Sequence, residues 1–152
     1  METTQTCPEC GAVWKDGLTC EEHFHQMLYW ENEFPDYGVV HNLTVLSYYL
    51  QHPSLYSPEG LNHGMKLLSD FVEKGITTQE VRARDRDKVS STNRTWKVKG
   101  KPGAQGAYSH PIRWSMTAPE VTAGGPHQYC ENVRQWAAKI MQDIRESGNF
   151  PG

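Results

Sequence analysis

The stretch that most restricts how this chain folds is CPECGAVWKDGLTC, residues 7–20, with cysteines at Cys7, Cys10 and Cys20. Two thiols separated by two residues can reach one ion, and a metal held there closes a tight loop that the rest of the fold must accommodate. Pro8 stiffens that loop, and Gly11 gives the backbone freedom to wrap an ion. Asp16-Gly17 is a hairpin-turn pair that brings the chain back toward Cys20. Cys20 sits where a helix should start, with Glu21 and Glu22 placed to favour the positive end of its dipole. A thiolate at that end gains from the same field. Three cysteines at this spacing point to a metal site, with zinc the expected ion, rather than to a redox pair.

The fourth ligand has two sources. His23 lies three residues after Cys20 on the same helical face and would complete a local Cys3His pattern. His25, five residues on, points about 140° away at roughly 100° per residue. The distant source is His52. Segments 21–33 and 41–52 read as helices joined by a loop around Pro35-Asp36-Tyr37-Gly38, and so short a connection makes them antiparallel. Cys20 and His52 then share one end of the hairpin, while Glu31 and His41 meet at the other.

Phe24, Met27, Leu28 and Glu31 follow the i, i+3, i+4, i+7 spacing, so Glu31 is a carboxylate on an apolar stripe. His41, Val45, Tyr48 and His52 share one face of the second helix, and Leu43, Leu46 and Leu50 make another. A carboxylate on such a stripe needs a partner. Glu31–His41 reads either as a satisfied polar pair in a helical core or as an acid/base pair beside a ligand.

These residues carry a resemblance. The CPECGA knuckle, the single Cys20 opening a helix that reaches Glu31, and VHNLTVLSYYLQHP at 40–53 resemble the uncharacterised domain-of-unknown-function family 5946. The likeness extends to YSPEGL and to the WSMT and VRQWA stretches further on. It implies no established activity. It does imply that Cys7, Cys10, Cys20, Glu31, His41 and His52 are shared positions, that His23 departs from the pattern, and that His25 fits only closer relatives. On that implication the expected metal ligands are Cys7, Cys10, Cys20 and His52, with His23 the alternative fourth ligand.

Beyond Pro53, Ser57 is an N-cap and Pro58 suits the first position of a third helix. Leu61, Met65, Leu68 and Val72 run down one of its faces, and Gly75 stops it. Gly60 and Gly64 would mark close packing against the first hairpin. Thr77-Thr78-Gln79-Glu80 is a capping box for a fourth helix reaching about residue 89. Arg82 to Lys101 holds eight basic residues and two acidic ones, a balance of +6 within a chain of net charge -3. With Trp96 inside it, this stretch is a conceivable phosphate or nucleic-acid surface, although charge runs are usually solvated faces.

Residues 95–99 and 112–116 alternate and read as a small β-hairpin inserted at 95–117. Thr117-Ala118-Pro119-Glu120 caps a short helical turn. Cys130, Val133, Trp136, Ala137, Ile140 and Ile144 form the stripe of a last helix that ends at Gly148. Cys130 reads as a core thiol rather than a partner of His127 in a second metal site.

At 152 residues the chain suits one domain, and its five Trp, seven Tyr and four Phe offset a mean hydropathy of -0.70. A net charge of -3 argues against a nucleic-acid binder working through bulk charge. No apolar run approaches a membrane span and no signal peptide opens the chain, so a cytoplasmic location with reduced thiols is the default expectation. The expected fold is mainly α, about five helices in one domain over 1–152, with residues 7–53 forming a zinc knuckle plus helical hairpin. The expected function is structural zinc binding in an interaction or small-ligand module. The alternatives are a zinc-dependent, hydrolase-like enzyme using Glu31 and His41 as acid and base, and a nucleotide or nucleic-acid binder using residues 82–101.

Overall fold

The computed structural model describes residues 5–14, 17–77, 79–80, 83 and 105–151. Thr19 starts the first helix, α1 (Cys20–Glu33), through a reciprocal capping box. Its hydroxyl accepts from the Glu22 amide and the Glu22 carboxylate accepts from the Thr19 amide, both at 3.2 Å. Two of the four donors that open a helix are thereby satisfied, and the Cys20 backbone is fixed at the first helical position. A 3-10 turn over Pro35–Val40 reverses the chain into α2 (His41–Leu50).

That second helix ends two residues before the expected His52. The Gln51 amide still bonds Ser47 at 3.2 Å, but the His52 amide turns to the Tyr49 carbonyl at 2.9 Å, and Pro53 cannot continue the ladder. His52 is left outside the helical conformation, at φ -129° and ψ 69°. A 3-10 turn over Pro53–Leu55 leads to α3 (Pro58–Glu73), capped by Ser57 and stopped at Gly75 with φ +69°. Gly64 lets α3 approach α2. A Cβ there would lie 3.0 Å from the Tyr56 hydroxyl and 3.3 Å from Leu50, tighter than ordinary contact.

After residue 105 the chain lies along the bundle, then forms α4 (Ala118–Thr122) with the Thr117/Glu120 capping box and α5 (Tyr129–Ser147), which ends at Gly148. One continuous core takes in Cys7 and Cys20 of the knuckle and Ile144 of α5. α5 forms its spine, with Val133, Trp136, Ala137, Ile140 and Ile144 wholly buried. α2 packs on α5 and α3, and α1 packs on α4. Gln51, also wholly buried, satisfies its amide by donating to the Met116 carbonyl at 2.7 Å and accepting from Trp136 at 3.3 Å.

The described residues thus hold five α-helices and one two-stranded sheet. The sheet is not where alternation placed it. β1 (Gln5–Thr6) pairs antiparallel with β2 (Val13–Trp14), flanking the first two cysteines. Residues 112–116 form no strand, yet their alternation has a meaning. Ile112, Trp114 and Met116 face the core while Arg113 and Ser115 face water, and Ser115 bonds the Asp143 carboxylate of α5 through amide and hydroxyl. A chain laid on helices can bury every second side chain as a strand does, here with the Asp143 carboxylate of α5 taking the Ser115 amide. The other expected strand, 95–99, lies outside the described residues. So do most of the expected helix at 77–89 and, apart from Ala83, the basic stretch 82–101. The Thr77 hydroxyl does accept from the Glu80 amide at 3.2 Å. No helix among the described residues is long and apolar enough to cross a membrane.

Candidate metal centre

The knuckle is shaped by its own backbone. The Gly11 amide bonds the Cys7 carbonyl at 3.0 Å, and the Cys7 amide bonds the Ala12 carbonyl at 2.9 Å. That turn needs φ +77° at Gly11, a conformation that favours glycine. The Ala12 amide donates to Cys10 Sγ at 3.4 Å, a bond that favours the thiolate form of the sulfur. Cys20 arrives from the first residue of α1, and His52 from just beyond the last turn of α2.

Four donor atoms, one each from Cys7, Cys10, Cys20 and His52, lie within 4.8 Å of one another. All four residues are buried, between 3% and 7% exposed. His52 Nδ1 donates to the Tyr48 carbonyl at 2.7 Å, which fixes the tautomer and leaves Nε2 facing Cys20 Sγ at 3.3 Å and Cys7 Sγ at 3.6 Å. That carbonyl would have taken the His52 amide had the helix continued, so ending α2 early supplies the acceptor that aims the ligand. Sulfur–zinc bonds of about 2.3 Å and nitrogen–zinc bonds of about 2.0 Å at tetrahedral angles give a sulfur–nitrogen edge of about 3.5 Å. The observed separations match that edge, so three thiolates and one oriented imidazole fit a metal ion.

Aromatic packing holds the imidazole. Tyr48, one turn before His52, lies 4.2 Å from its ring, and Phe24, one turn after Cys20, stacks on Tyr48 at 4.1 Å and 1°. Each helix that brings a donor therefore also brings one ring of a Phe24–Tyr48–His52 stack. Glu9, at the tip of the knuckle, accepts from the Ser54 amide at 3.1 Å and the Ser54 hydroxyl at 2.9 Å. This latch ties the knuckle to the turn that follows His52.

The protons of the cluster show the same mutual attraction. Hydrogen bonding with Cys10 pulls the Cys20 thiol well down, burial opposes this, and His52 adds to the pull. Cys10 is pushed up by the same bond to Cys20 and by burial. Burial alone would lower His52, but its bonds to Cys20 and to the Tyr48 carbonyl outweigh that and push it up to about 9. Negative charge gathers on sulfur and positive charge on the facing nitrogen, the polarity that a cation between them would replace.

The other sequence-derived candidates lie elsewhere. His23 turns to α4, its Nδ1 2.8 Å from the Thr122 hydroxyl, and stays out of the cluster. His25 is exposed beside Glu21 at 3.8 Å. His127 is exposed and Cys130 only half-buried, its thiol pushed up by burial. Glu31 and His41 do pair, His41 Nδ1 donating to the Glu31 carboxylate at 2.6 Å. Eleven residues of helix separate Glu31 from Cys20, about 16 Å at 1.5 Å per residue. At that distance neither residue can serve as base for a water on the metal or orient its ligands, which removes the acid/base role assigned to them in the hydrolase-like alternative. Glu9, Ser54 and the aromatic stack were not singled out from sequence. Only the recurrence of rings one turn from each donor could have signalled the stack.

No curated protein and no solved structure matches the chain. A family model does, over residues 5–145, a span that takes in the knuckle, both helices of the hairpin, Glu31, His41 and most of the last helix. On that match, the chain belongs to the family of unknown function DUF5946.

Proposed function

We propose that this protein binds one zinc ion through Cys7, Cys10, Cys20 and His52, and that the metal is structural. The observation that carries the reading is that four buried donors from three separate segments converge within 4.8 Å. Soft thiolates with one imidazole select zinc among the common divalent ions. Zinc held by four protein donors acts as a cross-link, with no open position for a substrate water. Here the cross-link joins the N-terminal knuckle to both helices of the hairpin, and Glu9–Ser54 supports it from outside. The folded domain would then present its surface to a protein or small-molecule partner, with the compartment expected to be the reducing cytoplasm, where thiols remain available to metal.

Elemental analysis of protein purified without added metal tests this. About one zinc per chain is expected, and Cys7→Ser or Cys20→Ser should lose both the zinc and the cooperative unfolding of the N-terminal region. Metal-free protein that is fully folded would overturn the structural role. A different metal at full occupancy would overturn the choice of zinc.

A further inference from the structure

The Glu31 carboxylate anchors a hydrogen-bond chain of its own at the far end of the hairpin. His41 Nδ1 donates to Oε1 at 2.6 Å, the Tyr129 hydroxyl donates to Oε2, and Thr44 Oγ1 lies 2.7 Å from that hydroxyl. α1 supplies the carboxylate, α2 the imidazole and the threonine, and α5 the tyrosine. Tyr129 is wholly buried and is flanked by Trp30 and Tyr37, each ring 5.8 Å away. The Glu31 side chain is 8% exposed, whereas that of His41 is 51% exposed. A chain of buried groups therefore ends on an imidazole in contact with solvent.

Tyr129 fastens the carboxylate to α5, but the His41 contact adds little fastening of its own. Burying a carboxylate is costly, and a partner that stands half in water returns little through screened attraction. A carboxylate on Nδ1–H has another consequence. It fixes the tautomer, so the neutral ring carries its free lone pair on Nε2, and it stabilises positive charge on the ring when Nε2 forms a bond.

We propose that this end of the hairpin is a second, metal-independent site, in which His41 Nε2 adds to small acyl electrophiles while Glu31 and Tyr129 hold the ring in place. In the step, the Nε2 lone pair bonds to the acyl carbon, and the bond from that carbon to its leaving oxygen breaks. The leaving group departs as an oxyanion with the electron pair. The ring becomes cationic and keeps its Nδ1–H on the Glu31 carboxylate, while the oxyanion takes a proton from water; the hydroxide left behind is neutralised by the proton that the hydrolysis step releases. Water then adds to the acyl carbon, the carbon–nitrogen bond breaks, and a carboxylic acid leaves with the imidazole restored. Ester and water are consumed, acid and alcohol are formed, and no oxidant or metal takes part. His41 is the catalytic residue here, and Glu31 and Tyr129 are positioning residues.

The chain contains its own comparator. His25 is more exposed, at 63%, and its carboxylate neighbour Glu21 lies one turn away at 3.8 Å, with no second donor to fix it among the described residues. Diethyl pyrocarbonate, an acyl electrophile, is the probe, applied to the full chain with its metal and read residue by residue by mass spectrometry. Limiting rates at alkaline pH compare neutral rings. His41 is expected to react about tenfold faster than His25, a figure taken from the low end of what a metal-ligating imidazole loses with its carboxylate partner. Glu31→Gln should bring His41 down to the rate of His25, and Tyr129→Phe should bring it part of the way, with unchanged circular dichroism. A role confined to stability would move melting temperature and leave these rates alone. If Glu31→Gln does not fold, the wild-type comparison and Tyr129→Phe decide the matter. The proposal is overturned if wild-type His41 reacts no faster than His25, or if its rate ignores both substitutions.

Discussion

His52 and His23 divide the ways in which a three-cysteine knuckle can be completed, and single substitutions separate them. His52→Ala should abolish stoichiometric zinc binding, whereas His23→Ala should retain it and lose only the contact with Thr122. Zinc content after gel filtration reads both outcomes, and a metal-free His23→Ala protein would reverse the assignment. The donors must be deprotonated to bind, and the protein holds a proton on His52 up to about pH 9. Affinity should therefore rise with pH across pH 6 to 8 and fall toward acid, which competition with a chelator at the two pH values measures. Ser47 offers a prediction of the opposite sign for stability. Among the described residues its hydroxyl is the buried side-chain atom without a hydrogen-bond partner. Ser47→Ala should raise stability by about 1 kcal/mol in a urea titration, because it removes an unsatisfied group and improves helix propensity. Tyr129→Phe should instead lower it by about 1–3 kcal/mol, since Glu31 and Thr44 both lose a buried partner. Cys7, Cys10 and Cys20 were legible from sequence because their geometry is set by near neighbours. Tyr129 was not: its partner Glu31 is 98 residues away, and the apolar stripe of the last helix reads as starting one residue later, at Cys130.

Helices were readable for the same local reason, and sheet pairing was not. Ser57 with Pro58, Thr117 with Glu120, and Gly148 each mark a boundary through groups within four residues, and the structure places helix ends at each of them. Residues 112–116 read as a strand because alternation reports which side of a chain is buried and says nothing about what it is bonded to. Between elements, the clearest electrostatic contact joins α3 to α5. Arg145 donates to both oxygens of Glu73, at 2.6 and 2.5 Å, and Ser69 adds a bond of 2.6 Å to the same carboxylate. The Arg145 bonds first, then Ser69, pull Glu73 from its ordinary value of 4.5 to about 2. A carboxyl lowered in the folded state contributes stability that is present in full above its unfolded value and lost as pH falls through its folded one. Glu73→Gln should therefore melt below wild type at pH 7. The gap should narrow between about pH 4.5 and pH 2, with a small amplitude because both groups are partly exposed and screened by solvent. Thermal melts of the two proteins across that range give the comparison, and a gap that stayed constant with pH would remove the ion pair as its cause.

For the whole molecule, the metal site and the Glu31 cluster occupy opposite ends of one antiparallel hairpin, and that arrangement follows from two short signals. The turn at Pro35–Gly38 reverses the chain, and Pro53 ends the second helix with His52 beside Cys20. What remained out of reach of sequence was the closure of each end by distant residues, Ser54 on Glu9 at one and Tyr129 on Glu31 at the other. Those pairings depend on how five helices settle against α5 rather than on spacing within any one of them. The central claim is that the knuckle and hairpin are joined by one zinc bound by three sulfurs and one nitrogen. X-ray absorption at the zinc edge of the purified protein measures that shell directly. Three sulfurs at about 2.3 Å and one nitrogen at about 2.0 Å are expected. A shell with two sulfurs or an oxygen in the fourth position, or protein without zinc, would contradict it.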